Sequence, residues 1–110
     1  MGVSGNADGS VTMLDGQRAI IVEPLDQPIV HAARVDLARS SGVWGIVSSE
    51  VASTEVVDDA RPSGVTAYLA AIPGVNLKLF IAPASSSRVT VTALDKAGRQ
   101  LAQTTLPPSN

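Results

Sequence analysis

The chain predicts an all-β fold: a small antiparallel β-sandwich, or open barrel, of about seven strands, closing with a C-terminal hairpin. Three observations carry this. Short β-branched or alternating stretches recur, separated by Gly, Pro, Asp and Ser clusters about every 8 to 12 residues. No long helical apolar period lies between them, so a doubly wound α/β arrangement is not expected. Residues 88–106, RVTVTALDKAGRQLAQTTL, spell a hairpin.

In that hairpin Val89, Val91 and Ala93 share one face, and Arg88, Thr90 and Thr92 the other. Asp95-Lys96-Ala97-Gly98 has turn chemistry, with Gly98 suited to a left-handed bulge position. The return strand puts Leu101 on one face and Ala102, Thr104 and Leu106 on the other, which predicts an edge strand or a bulged one. Pro107 and Pro108 end it, because neither can donate to a ladder.

Residues 1–10 are mostly Gly, Ser, Asn and Asp, and predict a flexible arm ahead of a single β domain over 11–108. Residues 11–14 form a short strand, Asp15-Gly16 a turn and residues 17–23 its return. Pro24 and Pro28 mark a loop. Ile29–Leu37 alternates as a strand, although Ala, Arg and Leu also suit a two-turn helix. Residues 39–42 are a turn, and 43–48 a strand whose Gly45 allows close backbone approach. Residues 51–58 form the next strand, 59–64 a loop, and 65–72 a strand turned by Pro73-Gly74. Residues 75–82 alternate, with Val75, Leu77, Leu79 and Ile81 inward.

Composition narrows the function classes. The net charge is −2 and the eight Lys and Arg are scattered, so neither a nucleic-acid footprint nor a polybasic membrane patch is present. Without cysteine there are no disulfides, thiol nucleophiles or cysteine-ligated metals. No segment has the length and apolarity of a membrane span, so no direct membrane insertion is expected.

Candidate chemistry is sparse. His31 is the one histidine. Ser48 or Ser49, His31 and Asp36 can be set out as a triad, but no nucleophile-elbow pattern accompanies them. The carboxylates Glu50, Glu55, Asp58 and Asp59 lack EF-hand spacing, and a solvated loop is expected. Trp44, Tyr68 and Phe80 are the only aromatics; their strand positions favour a core role, with Trp44 the anchor between sheets. Phe80 shares a face with Lys78 opposite the aliphatic row. If that face is outward, Phe80 and Lys78, with Asp58, Asp59 and Arg61 in the neighbouring loop, are candidate interface residues. No catalytic residue, cofactor or metal site is expected.

Residues 42–102, GVWGIVSSEVASTEVV, VTAYLA, NLKLFIA and RVTVTALDKAGRQLA in order, resemble small extracytoplasmic β domains of membrane-anchored proteins of high-GC Gram-positive bacteria. The closing hairpin also resembles the last strands of bacterial Ig-like modules. The resemblance implies an exported, non-catalytic domain on a membrane-anchored parent such as an anti-sigma-type regulator, and it transfers no active-site residue. Three functions stand as expectations. The first is an interaction or sensory domain with a protein partner. The second is a subunit that assembles with copies of itself through strand edges, as in a virion component or homo-oligomer. The third, behind these two, is a hydrolase whose site no motif marks.

Overall fold

A computed structural model describes residues 2–15, 18–23, 27–37 and 40–108, and among them every regular element is a strand. The eleven strands are β1 (Gly2–Gly5), β2 (Val11–Asp15), β3 (Arg18–Val22), β4 (Ile29–Leu37), β5 (Ser40–Ser48), β6 (Ser53–Val57), β7 (Val65–Thr66), β8 (Tyr68–Ala71), β9 (Leu77–Pro83), β10 (Val89–Leu94) and β11 (Gln100–Leu106). They form three antiparallel sheets: an N-terminal sheet β1-β2-β3, a central sheet β4-β5-β9-β8 and an outer sheet β11-β10-β6-β7.

The central and outer sheets make the expected sandwich. Val43, Val47, Phe80 and Ala82 of the central sheet pack against Val56, Val89, Val91 and Ala93 of the outer one. The alternation of β10 does what its pattern predicts, with Val89, Val91 and Ala93 buried and the threonines between them only partly so. The N-terminal sheet adds a third layer. Val11, Met13 and Val22 cover Trp44, Ile46 and Ile72 on the opposite face of the central sheet. A sheet buried on both faces needs apolar residues at every position, not at alternate ones. This is why β9 carries Leu77, Leu79 and Ile81 towards the N-terminal layer while Phe80 and Ala82 fill the inner core.

The third layer changes several expectations. Composition predicts a loose arm over residues 1–10, yet β1 pairs with β2 from Gly2↔Leu14 to Gly5↔Val11. The pairing leaves Gly5 beside Val75 and the Pro73 carbonyl, where a Cβ would have no room. Asn6 and Asp8 organise the connection: the Asn6 amide donates to Thr12 Oγ1 at 2.8 Å, and Asp8 accepts from the Ser10 amide at 3.0 Å. The β2–β3 hairpin forms, but Asp15, expected in the turn, belongs to β2 and pairs with Arg18; residues 16 and 17, and residues 24–26 of the expected loop, lie outside the described residues. Ile29–Leu37 is a strand, not a helix, because β5 offers it a full-length partner. A bulge between Ile29 and His31 turns both Val30 and His31 to the N-terminal side. Ser40 to Gly42, expected in a turn, already belong to β5; residues 38 and 39 lie outside the described residues.

The expected single strand over residues 65–72 divides at Ala67. The chain leaves the outer sheet as β7, buries Ala67, and enters the central sheet as β8. The Ala67 amide is held by the Thr54 carbonyl at 2.7 Å. This corner joins the two sheets covalently along one side of the sandwich. In the closing hairpin Asp95 Oδ1 accepts the amides of Ala97 and Arg99, both at 2.9 Å, and Gly98 takes φ 83°. The register slips between Ala93 and Leu94, leaving Leu101 as the extra residue of an edge strand.

Candidate interaction surface

The five expected interface residues do not form one surface. Phe80 is 0% exposed and lies in the inner core, so it is no part of an interface. An interface role for Phe80 depended on its face being outward; the central sheet is covered on both faces, which gives Phe80 the core role its strand position favours. Tyr68, expected in a core, is instead 66% exposed on edge strand β8. Lys78 turns its ammonium to the Val51 carbonyl at 2.7 Å and caps the β5–β6 connection.

Asp58, Asp59 and Arg61 do come together, in a loop that is internally committed. Asp58 is buried, with Oδ1 accepting the Arg61 amide and Oδ2 the Ser85 amide, both at 2.7 Å. Arg61 Nη1 stands 3.6 Å from the same carboxylate. Burial alone would raise the Asp58 carboxyl; the Ser85 and Arg61 amides and the Arg61 charge outweigh it and hold the group below its ordinary range. The Asp59 amide donates to Ser87 Oγ at 3.2 Å. Asp58 thus ties the β6–β7 loop to the β9–β10 loop and is not available to a partner. Asp59 and Arg61 remain exposed.

His31 has the surroundings of a packed residue. Its ring stacks on Trp44, with centroids 4.8 Å apart and planes tilted by 46°. Nε2 is buried with no hydrogen-bond partner among the described residues, and desolvation lowers the imidazole pKa. Ser48 Oγ is 3.1 Å from Glu50 Oε1, so that hydroxyl is engaged with a carboxylate and not with the imidazole. The Asp36 side chain lies outside the described residues. Among the described residues no three His, Asp or Glu side chains gather as a metal site would require.

The surface that the fold leaves open is the side opposite the Ala67 corner. There the edges are β4 of the central sheet and β11 of the outer sheet, and no ladder joins them. Arg34, in the second half of β4, crosses this seam. Its guanidinium donates to the carbonyls of Ser85 (2.8 Å) and Pro107 (2.8 and 3.3 Å) and to that of Ser87. Beyond this latch the seam widens into a groove of about 440 Å³ between residues 27–32 and 102–104. Gln27 folds back to the Ile29 carbonyl at 3.0 Å at its mouth.

Neither half of this seam stands out in the sequence. A lone Arg in the apolar stretch IVHAARVDL was a usable signal, since a charge on a mostly buried strand needs carbonyl or carboxylate partners. The groove has no local signature, because it is made by two strands far apart in the chain. No family model matches the chain, and no curated protein or solved structure matches it either.

Proposed function

We propose that this chain is a non-catalytic interaction domain whose recognition surface is the open β4–β11 side of the sandwich. The observation that carries the reading is the inequality of the two sides. On one side the edges β7 and β8 are joined by the chain itself at Ala67, and on the other the edges β4 and β11 have no such link and flank a groove. The chemistry elsewhere supports it: Asp8, Asp58 and Asp95 are spent on backbone amides, and His31 is packed on Trp44. The resemblance of residues 42–102 supports an extracytoplasmic position on a membrane-anchored parent. A hydrophobic segment beside this domain in its parent gene is the expected finding there.

The test pairs affinity capture with activity. Crosslinking of the full chain in the cells that make it should yield a defined protein partner. A panel of ester, peptide and glycoside substrates should show no turnover. Turnover abolished by His31→Ala would overturn the reading.

A second reading, self-assembly, is favoured by the outer face of the N-terminal sheet. Leu14 is 52% and Ile21 64% exposed there. Sedimentation over a range of concentrations separates the two: assembly predicts mass rising with concentration, and a strict monomer excludes it.

A further inference from the structure

We infer that the β4–β11 groove binds an extended, uncharged peptide segment of another polypeptide, added as a strand antiparallel to both flanking edges. The inference rests on the interaction reading above and names the partner's chemistry.

The direction follows from the geometry. Arg34 meets Pro107 at one end of the seam, and residues 27–32 face 102–104 at the other. Both edges therefore advance the same way along the chain. A single inserted strand that opposes β4 also opposes β11, and every ladder among the described residues is antiparallel. Such a strand would satisfy the edge amides and carbonyls of β4, the usual source of affinity when a peptide joins a sheet.

The character of the segment follows from the lining. Among the described residues no Asp, Glu, Lys or Arg lines the groove, although 16% of the chain is charged. His31 is disfavoured in its charged form by the same desolvation. A strand continuing the central sheet would lie between two cores. Ile29 and Ala32 flank the inner core, and Val30 the one under the N-terminal sheet. Apolar side chains are thus accepted on both faces of the incoming segment, while a charge would be desolvated without a partner. Arg34 limits the length: its bonds to Pro107 close the seam, leaving space for about four to six residues.

The probe is a displayed library of random peptides selected against the full chain. Recovered peptides should share an uncharged run and shift the amide resonances of residues 29–32 and 102–104. N-methylation at alternate positions of that run should weaken binding about tenfold per site, since each methyl removes one edge hydrogen bond. A spin label at the peptide N-terminus should broaden signals near Arg34 and Pro107, and one at its C-terminus those near Gln27. Ala102→Glu should abolish binding; Gln103→Glu, at an exposed position, should weaken it if the first variant fails to fold. Tyr68→Ala on the far edge should leave it unchanged.

Failure to recover peptides, binding indifferent to N-methylation, the opposite label pattern, or occupation of the seam by a second copy of this chain would each overturn the inference. A captured protein partner that still binds Ala102→Glu or Gln103→Glu would overturn it while leaving the interaction reading standing.

Discussion

The Phe80 ring occupies the space that a side chain at Gly45 would need. The two residues are cross-strand partners in the central sheet, Gly45 on β5 and Phe80 on β9. A methyl group at position 45 would overlap the ring and also the His31 carbonyl, so moving the ring alone cannot make room. Gly45→Ala should therefore cost about 3 kcal/mol, measured by urea denaturation. Adding Phe80→Leu should recover only part of the loss, because the carbonyl overlap persists. Full additivity in the double-mutant cycle would contradict this packing.

Phe80 and Tyr68 provide a contrast of burial at similar chemistry. Phe80→Ala empties a fully buried site and should cost about 3–5 kcal/mol. Tyr68→Ala removes a mostly exposed ring and should stay within about 0.5 kcal/mol of the parent. A large loss at Tyr68 in a dilute monomer would argue against the exposed placement of β8.

Much of the outer sheet was legible from residues alone, and the reasons are local. Val89, Val91 and Ala93 have one dry face, and Asp95 to Gly98 make their turn without help from the rest of the chain. The central sheet was harder, because Leu79 and Phe80 are both apolar and a one-sided reading must send one of them outward. The N-terminal layer was least legible: Gly2–Gly5 has the composition of a linker and becomes a strand only through β2. Ala67 carries no mark of a sheet change. The candidate site suffers from the same remoteness, since Arg34 and Pro107 are far apart in sequence and their contact belongs to the tertiary fold.

Arg34→Ala should loosen the seam. Charge-assisted bonds to three carbonyls are lost, and with partial solvent access the cost should be about 2 kcal/mol. Arg34→Lys should recover little, because an ammonium cannot span carbonyls from two segments as a planar guanidinium does. Hydrogen exchange read by mass spectrometry should accelerate in residues 104–108 before it does in β10.

Stability should fall on acidification in two separate steps. His31 is held below its ordinary value of 6.5, so the unfolded chain takes up its proton first. Stability from this group is complete above pH 6.5 and is lost as pH falls from there through the folded value. Asp58 is held below 3.8, so its contribution persists to about that pH and disappears below it. His31→Phe should flatten the upper step and Asp58→Asn the lower one in denaturation midpoints measured against pH. An unchanged profile in both variants would exclude these groups as the source.

The N-terminal sheet is built from one contiguous segment. Among the described residues its only main-chain hydrogen bond to the rest is Gly5 N–H to the Pro73 carbonyl, at 3.3 Å. It can lift away without breaking a ladder in the other two sheets. The sole tryptophan, Trp44, lies in the interface it would uncover. The molecule therefore carries its own optical gauge of that layer. Undocking should red-shift the Trp44 emission and admit iodide quenching while far-ultraviolet dichroism keeps most of its sheet signal.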